Sequence, residues 1–464
     1  MNENKLIRLA IFSRLFVIFL QFLSNLIIPD HDAKVFQYLR SPQHNETYVF
    51  LSVNYILKGF IRWDAEYFMH IAKYGYTYEN TLAFFPLYPY LSRTIVNICE
   101  LLFYGATIDT SLIITFTLLN IVFLCLSVKL LYKLTKVYFN EDIAYKTTIL
   151  FIFNPASIFF SAPYSESFFC YLTLETIYRC TILLQKYSQS NSNFHYNDTS
   201  VLFFISLSTI VRSNGLLNIG FLIYTITCIF LTYFPKNSVD RFMYILKFIC
   251  IFSISILVCV LPFALYQIYC FQKFCRDFEL DLPKEIILYA SENNLVLPGQ
   301  FKIFNQTWCY SKIPLAYSYV QDHYWNVGFL QYYQLKQIPN FLLAFPSLYI
   351  VIHNSIRHIK INISNFSNLF NLKEVNVNNR TNCANKFFNF SLNVFVIHAL
   401  FLSVFCLLFI HVQVFTRMIC SASPLFYWYC AFYWINGRKR LIKLFFDCYF
   451  FIGTVMFCNF LPWT

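Results

Sequence analysis

Residues 248–270, FICIFSISILVCVLPFALYQIYC, run for 23 positions without Asp, Glu, Lys or Arg. A helix needs about 20 such residues to cross a bilayer. In lipid, only a segment that satisfies its own backbone polar groups can span. Comparable runs recur along the 464 residues, which are 58% hydrophobic and 12% charged. A soluble domain carries about twice that charged fraction. The chain is therefore read as one all-α, multi-pass membrane domain with about 9–12 transmembrane helices. Spans are expected near 8–29, 110–131, 147–162, 164–184, 200–212, 214–233, 244–270, 338–353, 389–411, 419–435 and 441–460. The pairs meeting at 163 and 213 are short enough for re-entrant or broken helices, which need protein or a water-filled cavity around them. Residues 91–108 are either a further span or an interfacial helix.

The formal net charge is +12. In a soluble protein that would suggest nucleic acid, but no aromatic–basic RNA-binding motif accompanies it, and no nucleic-acid partner is expected. Lys and Arg instead cluster in short loops: Lys5 and Arg8, Lys129 to Lys146, Arg179 and Lys186, Lys236 to Lys247, Arg357 to Lys386, and Arg438 to Lys443. These alternate consistently if the N-terminus is cytoplasmic. The opposite side then receives two long loops, 30–109 and 271–337, both rich in Tyr, Trp, His and charge. The Asn-rich segment 354–386 reads as a cytoplasmic linker. The N-terminal apolar run outlasts a signal-peptide core and lacks a convincing cleavage site, so it reads as a retained span. Of seven Asn-x-Ser/Thr sequons, only Asn45 and Asn305 fall in the two long loops. Most of the 16 cysteines lie inside apolar runs, where they behave as small hydrophobes. Cys270 borders the second loop and Cys275 and Cys309 fall in it; two of the three could pair if the loop is lumenal.

Six stretches interrupt the apolar pattern with polar groups. RWDAEYFMHIAKYGY (62–76) sets Asp64 and Glu66 just outside the first span, followed by His70. Carboxylates at a low-dielectric boundary are costly unless paired or used. They are either a general base for group transfer or interfacial acids paired with Arg62 or Lys73. AFFPLYP (83–89) either closes over a substrate or starts an interfacial helix. FNPASIFFSAPYSESFF (153–169) carries Glu166 between two serines, as a ligand for sugar hydroxyls or as a helix cap. RSNGLLNIGF (212–221) offers Arg212 and Asn214; a guanidinium there matches a phosphate, or else it snorkels. YWNVGFLQYYQLKQIPNFLLAFP (324–346) offers Trp325, Tyr332 and Tyr333 for sugar stacking or for an aromatic belt, Asn326 as a further substrate contact, and Lys336 for a phosphate. HVQVFTRM (411–418) places Gln413 and Arg417 between two spans. No P-loop, dinucleotide fingerprint, nucleophile elbow or zinc motif is present, and only 9 Gly are available for nucleotide-cradling loops. Any donor is therefore expected to be lipid-borne, with no metal and no cofactor.

Together, and in this order from residue 62 to about 430, these stretches resemble the PIG-V family, GPI mannosyltransferase 2. The resemblance implies a GT-C superfamily glycosyltransferase of the endoplasmic reticulum membrane with a lumenal active site. It would be an α-1,6-mannosyltransferase adding the second mannose of the glycosylphosphatidylinositol (GPI) anchor. The donor would be dolichol-phosphate mannose and the acceptor mannosyl-glucosaminyl-phosphatidylinositol, and the resemblance leaves room for a small membrane partner subunit. It implies Asp64 as catalytic base, with Glu66 second. Inversion from a β-linked donor then asks for cations at the departing phosphate: Arg212, Lys336, His70 and, less directly, Arg417. A transporter would instead place ionisable residues near the midplane and show internal repeats; no repeat is found. A non-catalytic subunit of a GPI-synthesis complex would not need Asp64, Glu66 and Arg212 together.

Overall fold

In lipid the backbone must hydrogen-bond to itself, and among the described residues every extended regular element is a helix. The structure is a computed structural model and describes residues 3–42, 46–189, 199–235, 237–276, 282–303, 306–363 and 390–463. The chain opens with α1 (Glu3–Ile27). Three short helices follow, α2 (Tyr48–Leu57), α3 (Asp64–Tyr74) and α4 (Leu87–Ile98). Then come α5 (Ile108–Tyr138), α6 (Glu141–Ile152), α7 (Glu166–Gln189), α8 (Ser200–Val211), α9 (Ile219–Thr232) and α10 (Ser238–Phe274). Two short helices, α11 (Lys284–Glu292) and α12 (Ala316–Trp325), precede α13 (Ile338–Asn362), α14 (Asn393–Phe409), α15 (Val414–Ala422), α16 (Pro424–Tyr433) and α17 (Lys439–Cys458).

Six segments of the described residues are long and apolar enough to cross a membrane: 3–27, 108–138, 213–232, 239–274, 335–362 and 424–458. The other expected crossings are shorter or more polar, as in α6, α7, α8 and α14. Residues 91–108 do not form a span: α4 ends at Ile98 and a 3₁₀ turn, Glu100–Phe103, follows. The segment read as a linker from 354 is helical to Asn362; 364–389 and the sequons Asn45 and Asn305 lie outside the described residues.

The interruptions have local causes. After α6, Asn154 accepts from the Ala156 amide through Oδ1 at 2.9 Å and donates to the Phe151 carbonyl at 3.0 Å, so its side chain replaces the lost helical bonds before Pro155. Between α8 and α9, Gly215 lies so close to the Ser208 and Thr209 backbone that a Cβ there would overlap it. Pro424 starts α16 at a first-turn position, where its missing N–H costs nothing. Gly437, at φ 83°, turns the chain between α16 and α17.

The first of these breaks is braced from inside the bundle. Arg14 of α1 is fully buried. It donates to the Ser157 carbonyl at 2.7 Å, Ser161 Oγ at 3.0 Å, the Ile152 carbonyl at 3.1 Å and Ser157 Oγ. All four acceptors are neutral atoms of the break between α6 and α7.

The two long loops interlock. Glu79 is buried and accepts from Trp308 Nε1–H at 2.8 Å and Tyr324 O–H at 3.0 Å. Tyr78 O–H donates to the Ile286 carbonyl at 3.2 Å and Tyr266 O–H to that of Leu82 at 2.9 Å. Cys275, at the end of α10, is disulfide-bonded to Cys309, 34 positions along. Cys270 is buried and free.

Candidate active site

Asp64 is the first residue of α3, where the unsatisfied amides of the first turn favour an acid. The residue before it, Trp63, has φ 55°, a conformation that a bulky side chain rarely adopts. The Asp64 amide donates to Tyr164 Oη at 3.0 Å, and Tyr164 O–H in turn donates to the Arg62 carbonyl at 3.4 Å. Tyr164 belongs to the break before α7, so the start of α3 is pinned to that break.

The Asp64 side chain is 28% exposed, and its Oδ2 accepts from Arg417 Nη1 at 2.8 Å. Arg417 lies in the first turn of α15. Its Nε approaches Glu166 Oε1 at 3.1 Å, and Arg212 Nη1 meets the same oxygen at 2.5 Å. Glu166 is the first residue of α7 and fully buried; Arg212 closes α8. Arg417 also lies over the rings of Phe159 at 5.2 Å and Tyr164 at 5.5 Å. Four charged residues from four distant parts of the chain therefore make one electrically balanced cluster. The inner acid is shared by two guanidiniums, and the outer acid is the most accessible member. Pairing of this kind offsets the desolvation of buried charges.

Asn214 begins two residues beyond Arg212, and its Nδ2 is buried without a hydrogen-bond partner. Beside Arg417 is a cavity of about 310 Å³, counting its open mouth, bounded also by Gln413, Thr416, Phe159 and Trp463. Gln413 Oε1 accepts from Tyr332 O–H at 2.9 Å, and Tyr332 stacks on His411 at 4.5 Å.

Other residues singled out in the sequence stand apart from this cluster. Glu66 lies on another face of α3: its Oε2 accepts from the Tyr38 amide at 3.2 Å and its Oε1 from Arg40 at 3.3 Å. Burial pushes its carboxyl up to about 7, against the pull of Arg40 and the Tyr38 N–H. His70 is buried, bonded to Thr77 Oγ1 at 2.6 Å and stacked on Tyr78 at 4.8 Å. Burial pushes it down to about 3, so it is neutral, not a cation for a phosphate. Trp325 packs on Tyr67 at 5.8 Å and Phe84 at 6.0 Å. Asn326 caps α12 in the left-handed region, at φ 53°. Lys336 is exposed in a 3₁₀ turn before α13. The partners first considered for the acid pair are also taken: Arg62 holds Asp30 at 2.9 Å and Lys73 holds Asp109 at 2.8 Å.

Three residues were not legible as site residues from motifs alone. Tyr164 lies within the stretch 153–169, where nothing in the spacing sets it apart from its aromatic neighbours. Arg14 had a signal, since a lone cation inside an apolar run is a functional candidate by default. Trp463 had none.

Comparison with known proteins agrees with the motifs. A family profile described as "Mannosyltransferase (PIG-V)" matches residues 2–464. The GPI mannosyltransferase 2 of Drosophila pseudoobscura pseudoobscura is 34% identical over 99% of this chain and 100% of its own length. The GPI alpha-1,6-mannosyltransferase 2 of Homo sapiens is 30% identical over 100% of this chain and 99% of its own. Among solved structures, an Archaeoglobus fulgidus oligosaccharyltransferase aligns with 97% of this chain at 11% identity and TM-score 0.43; this chain spans about half of it, 53%. A profile match along essentially the whole chain, with full-length relatives at this identity, settles the family: the chain belongs to the PIG-V mannosyltransferases, the GPI mannosyltransferase 2 family.

Proposed function

We propose that the chain transfers the second mannose of the GPI anchor from dolichol-phosphate mannose, on the lumenal side of the endoplasmic reticulum membrane, by a GT-C type inverting displacement. The observation that carries this reading is the Asp64–Arg417–Glu166–Arg212 cluster, in which an accessible carboxylate stands beside two guanidiniums. Asp64 takes the proton from the 6-hydroxyl of the acceptor mannose as that oxygen bonds to C1 of the donor sugar. The C1–O bond to phosphate breaks, and its electron pair leaves with dolichyl phosphate. Arg417 and Arg212 neutralise the departing dianion, while Glu166 holds both in place from behind. An incoming phosphate competes with Asp64 for Arg417, which frees the carboxylate when the donor is bound. Arg212 and Arg417 replace His70 and Lys336 as the phosphate cations in this scheme. Asn214 supplies a spare donor beside them. The disulfide between Cys275 and Cys309 supports an oxidising compartment for the loop 271–337.

The test places wild type, Asp64→Asn and Arg417→Ala in cells lacking their own second GPI mannosyltransferase. Wild type should extend the one-mannose precursor. Asp64→Asn should lose about 100-fold or more of the rate, the scale of a removed general base. Arg417→Ala should lose a similar factor, the scale of a removed charge-stabilising donor. A fully active Asp64→Asn at normal expression removes Asp64 as base. A folded wild type that leaves the precursor unchanged removes the reading itself.

A further inference from the structure

The segment after α17 returns to the candidate site. The amides of Phe460 and Leu461 donate to the carbonyls of Phe457 at 3.3 Å and Met456 at 2.9 Å, turning the chain back along the helix. Arg62, two residues before Asp64, donates to the Cys458 carbonyl at 3.0 Å and lies over the Phe460 ring at 4.6 Å. The Asn459 carbonyl accepts from the His31 amide at 3.0 Å, and Asn459 Nδ2 donates to Ser24 Oγ at 2.8 Å. So anchored, the segment delivers Trp463, 7% exposed, to the wall of the cavity beside Arg417.

The indole has a prepared seat. It meets Tyr449 edge-on at 5.1 Å, and it lies over Gly453 of α17 so closely that a Cβ at 453 would overlap three of its ring atoms. Gly453 is therefore needed as glycine for contact, since its backbone is ordinary helix. The cavity has two chemistries. Arg417, Gln413 and Thr416 share its lining with Phe159, Leu343 and Trp463. It lies where α13 meets α17, and Tyr449 O–H of α17 donates to the Leu343 carbonyl of α13 at 2.6 Å. Both helices are within candidate membrane spans. A cation set among aromatic and aliphatic side chains suits an amphipathic anion, a phosphate on a hydrocarbon chain.

We infer that Trp463 is a substrate-contacting residue, its indole packing the first isoprene units of the polyprenyl phosphate donor while the phosphate meets Arg417. This rests on the donor assigned under the proposed function. The experiment uses the full-length enzyme in microsomes from cells lacking their own enzyme, with dolichyl-phosphate mannose as the varied donor. Trp463→Ala should raise the donor KM about five- to tenfold, the scale of a lost aromatic contact, and leave the acceptor KM unchanged. Trp463→Phe should stay within about twofold of wild type. Gly453→Ala, which touches no substrate, should raise the donor KM as Trp463→Ala does by pushing the indole from its seat. The double variant should be no worse than either alone, because both act through one ring. An unchanged donor KM in Trp463→Ala, a rise in acceptor KM alone, or additive effects of the two substitutions would each overturn the inference. A wild type that uses no dolichyl-phosphate mannose would overturn the underlying donor assignment as well, and that outcome is read before any variant.

Discussion

Asp64 and Glu66 are both carboxylates in the first turn of α3, yet two positions on a helix are about 200° apart, so they face different surroundings. Asp64 meets Arg417 at the cavity; Glu66 turns inward to Tyr38 and Arg40. The consequence is a pH effect that separates them. Glu66 holds its proton to about 7 in the folded state, against about 4.3 in an unfolded chain. The stability contributed by the protonated form is complete below the unfolded value and is lost as pH rises through the folded one. The loss is about 4 kcal/mol at most. Thermal unfolding in detergent between pH 5 and 8 should therefore show wild type losing stability relative to Glu66→Gln, while Glu66→Gln keeps most of its transferase activity. Parallel pH profiles would show that Glu66 is not held protonated by the fold. Loss of activity matching Asp64→Asn would return it to the chemistry. The acid pair was legible in the sequence; the helix register that divides the pair was not, because the start of α3 depends on Tyr164, a hundred residues away.

The helices themselves are largely legible, since the apolar runs mark them and Pro155 and Pro163 mark the break before α7; the break at Pro424 falls inside the single span expected over 419–435. The short helices of the long loops are not, because α11 and α12 owe their faces to packing between loops, as at Glu79, and α2 lies against α1 and α5. What holds an interruption in shape was equally hidden. Arg14 does this for the break between α6 and α7, which carries Tyr164 and leads to Glu166. Hydrogen bonds between membrane helices are worth about 0.6 kcal/mol each, so the four inter-element bonds amount to about 2–3 kcal/mol. Arg14→Met should lower stability by that order, and the surviving folded enzyme should turn over more slowly, since Glu166 and Tyr164 lose their support. Arg14→Lys should recover only part of both, having three donors on one atom where the guanidinium spreads five over a fork. Thermal inactivation in detergent, with rate normalised to folded protein, checks this. An Arg14→Met enzyme with unchanged stability and rate would show that the break keeps its shape unaided.

The four charged residues of the site sit at helix ends: Asp64 opens α3, Glu166 opens α7, Arg212 follows α8 and Arg417 lies in the first turn of α15. Lys186 lies in the last turn of α7, at the far end from Glu166; Lys136 is in the last turn of α5, Lys360 in that of α13, and Lys439 and Lys443 open α17. An excess of Lys and Arg marks the cytoplasmic side in membrane proteins, which under the proposed function is the side away from Asp64 and Arg417. A topology test follows. A protease-cleavable tag inserted after Asn379 should be cut in sealed microsomes, whereas the same tag after Glu279 should be spared until detergent opens them. The reverse pattern would place Asp64 and Arg417 in the cytosol, and a donor presented from the lumenal leaflet could not reach them. The two insertions bracket α13, so they read the orientation of the helix that walls the cavity, and with it the side from which a lipid-linked sugar must enter.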